Sequence, residues 1–317
     1  MMKILFILLV TMATMSGFLQ QAMGADFLGW QDEVPEGCLV ISQIDEPGTI
    51  GDIYLIQAPD GTTTLLDTGV PDAGENILIP ALEKRGIKKI DQVIITHQHD
   101  DHTGGLPTLL ADPEIKVGCI VWSPFTDQQL RERAGGEATL QSMLSHAILT
   151  LAGRRGIPVR AVTTGDILQF GSGIEAEILG AARFEVDVPR FLNNNSLVFR
   201  LIYGDFSVLF TGDAGFEEED AVMASGAVLH SDVLKVGHHG GAGSTGEAFL
   251  QAVNPQIAIV TMPIWLSIEP HAIRVENLLK ARNCPFFRSW EHGDLDLFSD
   301  GKTFGLNKCA SQGGLIP

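Results

Sequence analysis

The stretch THQHDDHTGG, Thr96 to Gly105, places three histidines and two aspartates within six consecutive positions. The whole chain has nine histidines. His97 and His99 stand two apart on a segment leaving an apolar run, DQVIITH. Alternate side chains on an extended segment point the same way, so both imidazoles can reach one ion. Asp101 and His102 follow where the backbone turns toward a helix, and they can face a second ion. Nitrogen and carboxylate donors suit Zn²⁺ first, and Mn or Fe as well. Two divalent ions roughly 3.5–4 Å apart can activate a water between them. A polar surface loop is the competing reading. The order His-x-His-x-Asp-His, the strand before it and the Gly-Gly after it oppose that reading.

A two-ion centre needs further ligands from other strand ends. Asp213 follows the apolar run SVLF in SVLFTGDAG, and His238 and His239 follow DVLKV in DVLKVGHHGG. His271 stands at a helix start in PHAIRVENLLK, and Asp67 ends the strand-like TLLD. His146, His230 and His292 read as ordinary polar or core histidines. Lys235 could add charge near the histidine pair, although a solvated lysine is the commoner outcome.

The elements around these residues alternate. CLVISQI and DIYLIQ read as strands, and APDGTTTLLD as a turn feeding another strand. GENILIPALEKRG has helical spacing and stops at Gly86. IKVGCIVW is a strand, and EATLQSMLSHAILTLAGRRG is the longest helix candidate. Strands recur at GIEAEILG, SLVFRLIYG and FSVLFTGD, with Tyr203-Gly204-Asp205 as a hairpin turn. FEEEDAVMASG is a helix with acids in its first turn, where the dipole favours them. A strand at SDVLKVG, a helix at TGEAFLQAV, a strand at QIAIVTMP and a helix at HAIRVENLLKARN follow. Three short strands close the chain. Two sheets with helices outside satisfy this order. No Pro/Gly/Ser-rich linker divides it, so residues 25–317 read as a single domain.

Residues 1–24 read as a secretory signal: Lys3, an apolar run from Ile4 to Phe18, then Ala22 and Gly24 before the cut. The run is shorter than the roughly 20 residues that span a bilayer, and no later stretch could span one. Export would place the mature chain outside the cell or in a periplasm. Removing Lys3 with the signal takes the formal charge from −18 to −19. Such a surface repels nucleic acid at long range, and no basic patch with interleaved aromatics stands out. A bound dication reverses the field locally, so a small anionic substrate remains compatible. Cys38, Cys119, Cys284 and Cys309 contain no C-x-x-C pair, which argues against a thiolate metal site. Export permits a disulfide, with Cys284–Cys309 the first pair to test and buried small hydrophobes the other reading.

Taken together, these motifs resemble the metallo-β-lactamase superfamily from about Cys38 to Leu306. NNNSLVFRLIYGDFSVLFTGD, SDVLKVGHHG and PHAIRVENLLK look most like the hydrolase-like domain of competence DNA-uptake channel proteins and like phosphorylcholine esterases. The resemblance implies an α/β fold of α+β type, a four-layer αββα sandwich with two metal ions at one edge. It assigns His97 and His99 to the first ion, Asp101, His102 and His271 to the second, and Asp213 to both. Asp67 would orient the ligand loop. Most superfamily hydrolases carry a third histidine for the first ion. Here that region reads RFLNNNSL, and Asn193 or Asn194 would substitute. Gly241 stands where competence-type domains often carry serine, and His99 where they usually carry aspartate.

The expected function is metal-assisted hydrolysis. Asp101 or Asp213 would orient the water, and His239, with His238, would support the developing charge or protonate the leaving group. A small or exposed phosphodiester fits two ions and a histidine pair. A lactone, lactam or other acyl-bond hydrolase on the same centre is the alternative, and a non-enzymatic secreted metal-binding protein is a third reading.

Overall fold

The computed structural model describes residues 24–183 and 189–308. The signal segment up to residue 23 and the Cys284–Cys309 pairing lie outside those residues. In chain order the strands are β1 (Asp26–Trp30), β2 (Leu39–Gln43), β3 (Tyr54–Gln57), β4 (Thr63–Leu66), β5 (Lys89–Ile90), β6 (Gln92–Ile94), β7 (Lys116–Val117), β8 (Ile120–Val121) and β9 (Val159–Arg160). The second half adds β10 (Ile167–Gly171), β11 (Ile174–Gly180), β12 (Val198–Tyr203), β13 (Phe206–Phe210), β14 (Val233–Lys235), β15 (Ile257–Val260), β16 (Phe286–Arg288), β17 (Leu295–Ser299) and β18 (Thr303–Lys308). The α-helices are α1 (Ile79–Lys84), α2 (Asp100–Thr103), α3 (Leu106–Ala111), α4 (Asp127–Arg133), α5 (Ala138–Arg155), α6 (Phe216–Ala224), α7 (Glu247–Val253), α8 (Pro270–Ala281) and α9 (Ser289–His292).

One sheet runs β1-β18-β17-β2-β3-β4-β6-β8-β9, and the other β10-β11-β12-β13-β14-β15-β16. Strand alternation builds the layers. Tyr54 and Ile56 of β3 face the other sheet with Phe170, Phe199 and Phe210, while Leu55 between them faces outward. Leu55, Leu65 and Val93 meet Leu82 of α1, Leu109 of α3 and Ile148 of α5. On the far side, Leu209, Leu234 and Val260 meet Val222 of α6, Leu250 of α7 and Val275 of α8. Helices thus cover the outer face of both sheets, which is the αββα sandwich. Burying each of these large side chains contributes about 1.5–3 kcal/mol.

Local signals explain the element ends. The long helix α5 stops at Gly156, whose φ of 66° is left-handed and whose N–H donates to the Ala152 carbonyl. Tyr203 pairs with Phe206 across the hairpin, with Gly204 at φ 59°. The first strand, β1, was not expected from the sequence; it joins the sheet edge by pairing in parallel with β18. Among the described residues, no helix is long and apolar enough to cross a membrane.

The parallel part of each sheet positions the chemistry. β4, β6 and β8 run parallel, as do β13, β14, β15 and β16. Asp67 follows β4, His97 follows β6, Asp213 follows β13 and His239 follows β14. Loops from two sheets therefore open at one edge. There the Leu197 N–H donates to the Thr96 carbonyl at 2.8 Å.

Candidate metal centre

The loop after β6 makes its turn because two glycines allow close approach. A Cβ on Gly104 would stand 2.3 Å from the Pro71 nitrogen, and one on Gly105 would stand 2.2 Å from the Thr68 carbonyl. With that packing, α2 begins at Asp100 and turns Asp101 and His102 back toward the strand ends. The His97 and His99 rings lie 4.7 Å apart, and His97 Nε2 is 2.9 Å from His99 Nδ1. Two imidazole nitrogens so placed share either a proton or a cation.

Asp213 lies between both halves of the cluster. Its Oδ2 is 3.8 Å from His97 Nε2 and 3.4 Å from His102 Nε2. Its Oδ1 is 3.5 Å from His239 Nε2, which is itself 3.4 Å from Asp101 Oδ2. Ligand atoms of His97, His99 and Asp213 all fall within 4.8 Å of one another, and so do those of Asp52, His102, Asp213 and His239. Asp213 belongs to both groups.

Each ring is aimed by its other nitrogen. His102 Nδ1 donates to Asp67 Oδ2 at 2.8 Å, and His239 Nδ1 donates to the Thr261 carbonyl at 2.9 Å. Asp67 is itself held by the Thr96 N–H at 2.8 Å and the Thr96 hydroxyl at 2.7 Å. Both rings are left with Nε2 toward Asp213. His102 Nε2, His239 Nε2 and Asp213 Oδ1 are buried without a hydrogen-bond partner among the described residues. Buried polar atoms are rarely orphaned, and an imidazole whose far N–H is bonded to a carboxylate or carbonyl is the usual form of a metal ligand. The donor set therefore fits divalent cations.

Electrostatics point the same way. Burial opposes charge on His102, but Asp213, Asp101 and Asp67 outweigh it and hold its pKa well above the ordinary histidine value. Burial likewise opposes charge on His239, yet Asp213 and Asp52 push it up to about 10. Asp213 is held well below the usual carboxylate range by His239 and His102 against its burial. Burial and the neighbouring His102 keep His97 well below its usual value, so its ring is neutral. Metal-free, the carboxylates thus retain protons on rings that bound cations would displace.

Several expectations are redrawn. His271 is half-buried on the first turn of α8 and belongs to neither group of converging ligand atoms, whereas His239 belongs to one of them. Asn194 is not available to an ion. Its amide donates to the Pro189 carbonyl and to Glu217, and its oxygen accepts from the N–H groups of Gly215 and Glu218. It caps the start of α6. Asn193 instead lines a cleft beside the centre. Lys235 is not solvated but fully buried, with Nζ 2.5 Å from Asp52 Oδ2 and 3.7 Å from Asp213 Oδ1. Burial works against its charge, and Asp52 and Asp213 overcome it, raising its pKa. His146 and His230 are exposed, and His292 stacks on Trp30 away from the site.

Asp52 and Glu137 were missed. Asp52 precedes β3 inside the apolar run IGDIYLI, and a carboxylate in such a run needs a partner. Glu137 reaches His99 Nε2 at 3.1 Å from the turn before α5, and only its first-turn position hinted at it. The cleft, about 700 Å³ in volume, is bounded by His99, Glu137, His238, Asn193, Arg133 and Arg190.

The loop after β14 carries unusual backbone. His238 and His239 have φ of 49° and 54°, and Gly240 follows at 76°. Consecutive left-handed residues are strained for anything but glycine, and such strain gathers at functional sites. Here the turn sends His239 inward and leaves His238 at the cleft.

Comparison with known proteins places this site in a context. Residues 47–121 match the profile described as the metallo-beta-lactamase superfamily. The chain is 35% identical over 188 residues to ComE operon protein 3 of Bacillus subtilis, covering 59% of this chain and 22% of that protein. It is 25% identical over 246 residues to competence protein ComA of Neisseria gonorrhoeae, covering 77% and 29%. The chain thus spans under a third of the length of these relatives. Among solved structures, one described as a new diphosphatase from the PhnP family overlaps with a TM-score of 0.42 at 14% identity, covering 71% of this chain and 87% of that one.

Proposed function

We propose that this chain, whose residues 47–121 match the metallo-β-lactamase superfamily, members of which are generally hydrolases, is an exported hydrolase that uses two divalent cations to cleave a phosphodiester. The observation behind it is the convergence of three orphaned buried atoms, on His102, His239 and Asp213, with His97, His99 and Asp101 around them. In this reading His97, His99 and Asp213 hold one ion. Asp101, His102, His239 and Asp213 hold the other, with Zn²⁺ the first candidate. Such ions lower the pKa of a water toward about 7 and neutralise charge on a phosphoryl oxygen.

The chain's own groups do the rest. Asp67 and the Thr261 carbonyl fix the tautomers of His102 and His239. Burial, the largest influence on His238, lowers its pKa. Its ring is therefore neutral at pH 7 and relays or accepts a proton, while His239 serves as a ligand. Arg133 and Arg190 give the cleft two guanidinium groups on a chain of formal charge −18. That is support for an anionic substrate. The acyl-bond alternative has one observation of its own: 39% identity over 89 residues to a hydroxyacylglutathione hydrolase of Rhodopseudomonas palustris, 26% of this chain and 31% of that protein.

The deciding experiment strips the protein with chelator, refills it with Zn²⁺ or Mn²⁺, and measures metal content and turnover. The substrates are bis(p-nitrophenyl) phosphate, p-nitrophenyl phosphate, a lactone and a thioester. Two equivalents of metal with diester turnover are expected. Turnover of lactone or thioester alone would replace the substrate class, and a protein that takes up no metal would end the reading.

A further inference from the structure

We propose that Asp52, Asp213 and the Gly212 carbonyl form a monovalent-cation pocket filled by the chain's own Lys235 ammonium, which keeps Asp52 out of the metal coordination. Lys235 Nζ lies 2.5 Å from Asp52 Oδ2, 3.0 Å from the Gly212 carbonyl oxygen and 3.7 Å from Asp213 Oδ1. The residue is 2% exposed. Lysine is almost never found so deep unless it is paired. Its stem runs on β14 just before the turn that carries His239, so the ammonium is delivered to the centre by the same strand.

Asp52 explains why a cation is needed there. A carboxylate oxygen of Asp52 lies within 4.8 Å of ligand atoms of His102, Asp213 and His239, a group whose spacing could hold a metal ion. Its Oδ1 accepts from the Thr261 hydroxyl at 2.5 Å, which leaves Oδ2 as the group facing Lys235. Without the ammonium, Asp52 would be a buried, uncompensated anion beside two imidazoles, and a dication would draw it in as an extra ligand. With the ammonium, Asp52 is engaged, and a fixed positive charge stands beside the shared carboxylate Asp213. When ions are bound, that charge would weaken the pull of Asp213 on them and keep Asp52 from adding a further ligand. The pocket itself is selected by its chemistry: two carboxylates and a carbonyl at the reach of a primary ammonium, which can donate to them as a quaternary group cannot.

The pocket half of the inference is independent of turnover, and the coordination half rests on the metal reading above. Chelated Lys235→Ala protein is melted in propylammonium chloride and in tetramethylammonium chloride at equal ionic strength. Selective stabilisation by propylammonium is expected, because the amine restores the missing group in the cavity left by the stem. Equal effects of the two salts would overturn the pocket. Metal-loaded Lys235→Met is then compared with wild type for release of metal to a chelator. Release slowed on the order of tenfold is expected, with Asp52→Asn/Lys235→Met returning to the wild-type rate. Unchanged release in Lys235→Met would overturn the coordination role. If the single variants do not fold, a folded double variant supports the pairing, and an unfolded double variant refutes it. Failure of diester turnover in wild type would sink the hydrolase reading without touching the amine result.

Discussion

Replacing Asp67 by asparagine tests whether the tautomer of a ligand histidine is set from behind the site. Asp67 accepts three hydrogen bonds, from the Thr96 N–H, the Thr96 hydroxyl and His102 Nδ1. Its φ of 56° is left-handed, a conformation asparagine adopts more readily than other non-glycine residues. Alanine would add backbone strain at this φ, so Asp67→Asn is the cleaner change. The amide oxygen can keep the Thr96 N–H, which turns the NH₂ group toward His102 Nδ1. His102 Nδ1 must then accept, and the proton moves to Nε2, where the ring should offer a lone pair. Loss of such an orienting partner typically costs 10–100-fold in metal affinity, which is about 1.4–2.8 kcal/mol. The assay is a competition titration of the metal-free proteins against a chromophoric zinc chelator, with thermal unfolding to confirm the fold. Wild-type affinity in a folded Asp67→Asn protein would show that Asp67 does not set the ligand state of His102, and the tautomer argument would fail.

Three further outcomes follow from the same geometry. His239→Ala should lose about one equivalent of metal and nearly all turnover, whereas His271→Ala should retain both; metal analysis of the two purified variants decides between them. Asn194→Ala should lower unfolding stability by about 1–3 kcal/mol, since it removes a cap and leaves buried N–H groups of Gly215 and Glu218 without an acceptor. Its metal content should not change, and a lost equivalent in a folded protein would return Asn194 to the ligand set. Burial pushes the pKa of Glu46 up to about 8 from 4.5, so the native state holds a proton there that the unfolded chain releases. Stability of the chelated protein should therefore fall as pH rises from about 4.5 to about 8, by at most about 1.4 kcal/mol per pH unit from this group. Glu46→Gln should flatten the curve by that amount in urea unfolding, and an unchanged slope would refute the assignment.

The layers were legible because each follows from local pattern. Runs such as IYLI and VLF send alternate side chains to the two buried faces of a sheet, and Gly156 and Gly204 mark ends through backbone geometry that one residue determines. The ligand loop was legible for the same reason, its residues being neighbours in sequence. What sequence reading missed is set by pairings between distant segments. β1 becomes a strand only because β18 offers it an edge. Asp52 and Lys235 each stand inside an apolar run far apart in sequence, and only the fold brings them into contact.

His239 and His271 show how differently a local pattern constrains where a side chain points. A histidine at a helix start has a predictable direction, and α8 carries His271 at a half-buried position outside the cluster. The direction of His239 depends instead on two successive left-handed residues, His238 and His239, ahead of Gly240. Written as GHHGG, that turn resembles any flexible loop, because histidine's modest tolerance of positive φ does not call for two such residues in succession. Packing must impose it: His239 Nδ1 is tied to Thr261 at the end of β15, and Ser244 donates its hydroxyl to the Gly237 carbonyl. The strain is held by tertiary contacts and is released if they are lost. The aim of the inner histidine therefore depends on the neighbouring strand end more than on its own loop.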